Sequence, residues 1–402
     1  MRGGAGPTVN SINQRMKRVR ANVFERNEKK WIAMIVLITV GLIDLSAGIL
    51  YRVVYGYPWA EHGLRIGQLR DRELRESSPI FHHGFRRNRS VKDARWGNRA
   101  YEVTTDSLGF KNRSMKTVDL TSEKHRVLFI GDSFTEGVGV AYPNTFVGIV
   151  ESKLSSEGIE VLNAAATSYS PIIYWRKIKF LLEEVGLRFD EVVVYIDISD
   201  AHDEATRYEL GDNGSVVDRT SPRTPSRTPS QQPRSLTSSI RSAGKNNSIL
   251  LYSIYNACIQ AIRKVLGGAQ QVDYLNERNL WTVDQKLFRE WGNNGLDNMT
   301  IYMGKLLTLL RKNEIRLTVA VYPHPHQILH NDVNSIQVTH WKSWCERNGV
   351  DFINHFPSFF VPSKRKEETI QLYFIEGDVH WNERGHHLIA ESFLAFRKQQ
   401  AP

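Results

Sequence analysis

Residues 127–137 read VLFIGDSFTEG, an apolar run that ends in Gly131, Asp132 and Ser133 before a turn. At the carboxyl end of a strand a serine hydroxyl can be exposed, with its own N–H and those that follow aimed at one point. Such donors suit a developing oxyanion. A serine alone is a poor nucleophile and needs a positioned base. Residues 377–385, GDVHWNERG, offer one, because Asp378 and His380 are two positions apart. In an extended or turning loop that spacing directs both side chains to one side. Asp378 can then hold Nδ1–H of the imidazole while Nε2 faces Ser133. Each stretch also has a plain reading, Ser133 as a helix cap and Asp378 as a cap beside a surface histidine. Together, in the order Ser…Asp…His, they point to acyl-transfer chemistry.

Positions 133 and 380 are far apart in the chain, so the elements between them must bring them together. Short β-branched or apolar runs occur at 127–130, 159–162, 191–196, 317–322 and 351–354. Helix-like stretches at 144–156, 174–186, 298–312, 336–347 and 384–397 separate or follow them. That alternation predicts a parallel sheet covered on both faces. Residues 52–120 form a connecting region, in which 101–110 alternate and turn at Gly109 as a hairpin or pocket-edge strand. His324 and His326 sit just past the fourth run, where they fit loop structure or substrate contact at a pocket rim; no third ligand is spaced to make them a metal pair. Trp341 and Trp344, three apart, fit a core face.

With these motifs the chain resembles the SGNH (GDSL) hydrolase superfamily over roughly residues 122–398. Gly131, Asp132 and Ser133 match its first block, and Asp378 to Asn382 its last. The resemblance implies a flavodoxin-like, three-layer α/β domain (121–398) with a parallel five-stranded sheet, an acyl-enzyme on Ser133 with His380 as base and Asp378 as its orienting acid, and neither cofactor nor metal. Residues 161–170, VLNAAATSYS, look like the second block, where Ser168 or Ala165 would replace the family's oxyanion glycine through its backbone. The third block departs: VYIDISD at 194–200 places Ser199 where the family has asparagine, with Asp197 nearby. A hydroxyl there can donate one hydrogen bond, whereas a carboxylate would repel an oxyanion. Ser168, Ser199, Asp197 and Asn163 are thus the expected oxyanion or substrate residues. The TDSLGF segment at 105–110 and the DxHW ending resemble bacterial envelope members that act on O-acyl, mostly O-acetyl, groups of polysaccharides. Three functions follow from the resemblance: an esterase, an O-acetyltransferase, or a non-catalytic scaffold with partners in a polysaccharide export or modification complex.

The 402 residues carry a net charge of +10, but the excess is local. Residues 1–30 contribute +6 and residues 213–247 contribute +5, so the remainder is near neutral and a nucleic-acid groove is not expected. Residues 31–51 form an apolar run with one formal charge, Asp44, long enough for a hydrocarbon core of about 30 Å. The basic lead predicts an uncleaved, single-pass inner-membrane anchor with a cytoplasmic N-terminus and a periplasmic or extracellular catalytic domain. A cleaved signal peptide is the alternative. Residues 213–247, rich in Ser, Thr, Pro and Arg, read as a disordered basic insertion. Two cysteines, Cys258 and Cys345, are too few for a disulfide framework.

Overall fold

The computed structural model describes residues 27–56, 58–59, 73–97, 99–219, 248–250, 252–254, 257–258, 261 and 276–400. The chain divides into two compact units, residues 1–66 with 227–267, and residues 67–226 with 268–402. Most of the basic tail (1–26) and of the basic insertion (220–247) lies outside the described residues.

In the first unit, Glu28–Tyr55 is a 28-residue helix long and apolar enough to cross a membrane by length and composition. Gly56, with φ 76°, ends it in the left-handed conformation. Asp44, the single charge of the apolar run, is hydrogen-bonded: the Ser248 hydroxyl and the Leu250 N–H (2.8 Å) both donate to its carboxylate. An ionisable group in an apolar helix needs such partners.

The second unit is built on a five-stranded parallel sheet. In chain order its strands are β1 Arg126–Ile130, β2 Glu160–Asn163, β3 Glu191–Ile196, β4 Arg316–Val321 and β5 Asp351–Asn354. Their spatial order is 2-1-3-4-5, the flavodoxin-like arrangement. The near-continuous apolar strands follow from burial on both faces. Alternate residues feed two separate cores. Leu128, Ile130, Val192, Val194 and Val319 join the cluster holding helices Pro171–Phe180, Asn293–Lys312 and Ile336–Asn348. Val127, Phe129, Val193, Tyr195 and Ala320 join the cluster holding helices Phe146–Leu154 and Glu383–Gln400. Trp341 and Trp344 are buried in the first.

Of the connecting region expected at 52–120 with its pocket-edge hairpin, the part from residue 67 onwards belongs to this second unit. A hairpin of Arg75–Ser78 and His82–Phe85 precedes a three-stranded antiparallel sheet of Ser90–Trp96, Arg99–Thr105 and Lys111–Asn112. Phe85, Ala94, Val103 and Phe110 enter the first core. The expected turn at Gly109 is present, with φ 73°, and a Cβ there would stand 2.4 Å from the Phe85 carbonyl oxygen. The start of the basic insertion needs correction. Residues 216–218 are strand, because Val216–Asp218 pairs with Tyr208–Leu210 around a turn in which Asn213 Oδ1 accepts the Ser215 N–H. Val216 is buried, and an apolar anchor of this kind outweighs the polar composition that follows.

Candidate active site

β1 delivers the chain to Gly131, where no larger residue fits: a Cβ would stand 2.2 Å from Thr135 Oγ1 and 2.9 Å from the Tyr195 carbonyl oxygen. Asp132 then caps the short helix Ser133–Glu136, its carboxylate accepting the Phe134 N–H at 2.9 Å. The cap is therefore Asp132, not Ser133. Ser133 occupies the first turn, where N–H groups lack intrahelical acceptors, and its own has none among the described residues. Two adjacent strand ends, β1 and β3, form the switch point at which α/β sheets bind ligands.

The loop before Glu383–Gln400 brings the histidine. Asn382 ties it down, its amide donating to the Leu372 and Phe374 carbonyls (both 3.0 Å) and its oxygen accepting the Arg384 and Gly385 N–H groups. Ser133 Oγ stands 2.7 Å from His380 Nε2, and His380 Nδ1 hydrogen-bonds Asp378 Oδ1. The same carboxylate accepts the His380 N–H at 3.0 Å and, on Oδ2, the Trp96 indole N–H at 2.8 Å. Burial alone would raise Asp378, but His380, its backbone N–H and Trp96 hold it down at about 2. Trp96 also lies edge-on to the His380 ring, centroids 4.9 Å apart. No spacing in the sequence marks Trp96; it meets Asp378 across 282 positions.

The second block serves as a brace. Asn163 Nδ2 donates to the Thr135 carbonyl at 3.0 Å, and its oxygen accepts the Ala165 N–H at 3.2 Å. Both groups are thus committed within the protein. Glu136, wholly buried, accepts the Thr167 N–H (2.7 Å) and hydroxyl (2.8 Å) and pairs with Arg75 at 2.6 Å. Burial opposes its charge, yet Arg75, with Lys111 and the Thr167 hydroxyl, outweighs it and lowers its pKa. Held by this pair, the loop carries Ser168 in the left-handed region at φ 63°, its carbonyl accepting the Tyr208 hydroxyl at 2.9 Å. Its N–H has no acceptor among the described residues.

The third block forms a buried polar cluster. Asp197 Oδ1 accepts the Ser199 N–H at 2.7 Å, and Oδ2 meets His324 Nε2 at 2.5 Å and the Tyr322 hydroxyl at 2.9 Å. Asp132, Asp197 and Asp200 each offer a carboxylate oxygen within 4.8 Å of the others. Burial and then mutual repulsion push Asp132 and Asp200 well above the ordinary carboxylate range. Burial works against Asp197 too, but His324 holds it well below that range. Within the cluster the charged form is therefore favoured most at Asp197, the carboxylate that meets His324. The Ser133 hydroxyl also lies within hydrogen-bond distance of Asp132 Oδ2, at 3.1 Å, longer than its 2.7 Å contact with His380 Nε2. His324 and His326 do not line a rim: they are 2% and 1% exposed. Burial, then His324, pushes His326 down to about 2, so it is neutral.

No protein-family model matches the chain, and no curated protein sequence matches it. Among solved structures, the chain is similar to a GDSL-like lipase from Bacteroides thetaiotaomicron at 10% identity, covering 71% of this chain and 93% of that one with a TM-score of 0.36. It is similar to a psychrotrophic esterase from Pseudoalteromonas at 10% identity (69% and 98% covered, TM-score 0.36). An acetylxylan esterase from Geobacillus stearothermophilus, in a catalytic mutant, is similar at 13% identity (69% and 95% covered, TM-score 0.35). In the order and placement of its motif blocks, and in the 2-1-3-4-5 sheet that carries them, the chain resembles the SGNH (GDSL) hydrolases.

Proposed function

We propose that this chain is a serine esterase that removes O-acyl groups, O-acetyl foremost, from a cell-envelope or exported polysaccharide. The observation that carries the reading is the continuous contact from Ser133 Oγ to His380 Nε2 at 2.7 Å and on to Asp378. Ser133 Oγ attacks the ester carbonyl carbon as His380 Nε2 takes the hydroxyl proton, and Asp378 stabilises the imidazolium. The Ser133 and Ser168 N–H groups are the donors proposed for the oxyanion, with the Ser199 hydroxyl as a third. Collapse of the tetrahedral intermediate breaks the bond to the sugar oxygen, which leaves with the proton from His380. Water then attacks the acyl-enzyme carbonyl as His380 takes its proton, and collapse of the second intermediate releases the carboxylic acid while His380 returns that proton to Ser133 Oγ.

The proposed setting is the outer face of a bacterial inner membrane, with Glu28–Tyr55 as a single anchor and the basic lead in the cytoplasm. The test is fluorophosphonate labelling of the full chain in detergent, mapped by mass spectrometry. Labelling confined to Ser133 and lost in Ser133→Ala and His380→Ala is the expected result. A folded, unlabelled wild-type chain would overturn the esterase reading.

A further inference from the structure

A groove of about 420 Å³ reaches the triad's neighbourhood through Trp96. Trp96, which binds Asp378 and packs on His380, lines this groove; so do Thr167 and Ser168 of the second block. A molecule held there would meet the indole that hydrogen-bonds Asp378 and packs on His380.

The lining is basic and aromatic. Three arginines, Arg75, Arg95 and Arg207, stand against one acid, Glu76. Arg75 is matched by the buried Glu136. Arg207 lies over the Tyr208 ring at 4.7 Å, and its acidic partner is loose: Asp218 at 3.5 Å, 63% exposed and shared with His82. Arg95 is exposed and makes no ion pair among the described residues. Trp96 and Tyr101 add flat apolar surfaces of the kind on which a sugar ring can lie. The planar guanidinium fork matches a carboxylate through two parallel hydrogen bonds, a geometry that a neutral sugar hydroxyl cannot return.

We infer that the groove selects an anionic glycan, seating a carboxylate-bearing sugar ring of the uronic acid class against Arg95 and Arg207. This rests on the esterase reading for its role in turnover, and it adds the substrate's charge. The ring bearing the ester, or its neighbour, places its carboxylate on the arginines while its acyl group reaches Ser133.

Two measurements on the full chain in detergent separate the inference from the activity. The first compares kcat/KM on chemically O-acetylated polygalacturonate and on O-acetylated xylan, a neutral control. A preference for the uronate polymer of about tenfold or more is expected. It should narrow in Arg95→Gln through a higher KM, and shrink as salt rises from low to high ionic strength. The second measures equilibrium binding of unacetylated oligogalacturonate and xylo-oligosaccharide to Ser133→Ala, with and without Arg95→Gln. Uronate binding weakened about tenfold by Arg95→Gln supports the groove even where turnover is absent, in which case only the esterase reading fails. Equal binding of the two oligosaccharides, or a uronate affinity indifferent to Arg95→Gln, overturns the inference while leaving an active esterase intact.

Discussion

Two histidine–carboxylate pairs flank the same phenylalanine. The Phe134 ring lies 4.7 Å from His380 and 4.8 Å from His324, centroid to centroid, and each imidazole hydrogen-bonds an aspartate, Asp378 in one case and Asp197 in the other. Their pairing chemistry is alike, but their surroundings are not. His380 presents its second ring nitrogen to Ser133, while Asp378 keeps a quarter of its side chain exposed. The His324–Asp197 pair is sealed at 2% and 1% exposure and meets Tyr322 and the Ser199 N–H instead of a nucleophile. A base that must exchange protons with substrate and water belongs at the accessible pair. The sealed pair favours the charged form at Asp197 over its two neighbouring carboxylates.

That contrast can be broken by substitution. Ser133→Ala or His380→Ala should lower ester turnover by about 10⁶-fold with the fold retained, measured as kcat on 4-nitrophenyl acetate. Asp378→Asn should cost about 10⁴-fold in kcat by removing the acceptor that orients Nδ1–H, with the protein still folded. Asp197→Asn acts on the other pair and is expected to cost about 1–3 kcal/mol of stability, read by chemical denaturation, because an amide NH2 in place of Oδ2 takes a buried acceptor from the Tyr322 hydroxyl and disrupts the contact with His324. If Asp197→Asn instead removed activity at full stability, the assignment of the two pairs would be reversed.

Smaller changes sharpen the picture. Trp96→Phe keeps the ring beside His380 but deletes one hydrogen bond to a carboxylate, so a fall in kcat of roughly tenfold is expected. Asp378 is held at about 2 against an ordinary 3.8. Because its folded value is depressed, its contribution to stability is present above pH 4 and is lost as the pH falls from about 4 towards 2. Trp96→Phe removes one cause of that depression and should move the lower edge of this window upward, measurable as acid unfolding of the two proteins side by side.

The legible parts were those with local signatures. The apolar run into Gly131, Asp132 and Ser133 is a strand feeding a tight turn, and the Asp-x-His spacing places two side chains on one loop. The five alternating runs mark strands because burial on both faces demands nearly continuous apolar residues. The illegible parts join residues remote in sequence. Arg75 meets Glu136 across 61 positions, and His324 meets Asp197 across 127. An isolated histidine such as His324 looks the same in sequence whether it sits at a rim or in a core. Asn163 was expected at the oxyanion, yet its amide closes onto Thr135 and Ala165, a choice made by the distance between two strand ends. Val216 shows the reverse case, a single buried side chain giving order to a stretch whose composition reads as loop.

The sequence by itself determined the strand-and-helix alternation, the apolar helix near the N-terminus and the two motifs bearing Ser133, Asp378 and His380, because each depends on residues within a few positions of one another. Only the folded chain brings Trp96 to Asp378, lets Glu136 and Arg75 hold the loop bearing Ser168, and favours the charged form at Asp197 over Asp132 and Asp200. The physical reason is that pKa shifts and hydrogen-bond partners depend on burial and on distances of a few ångströms, which only the folded chain sets.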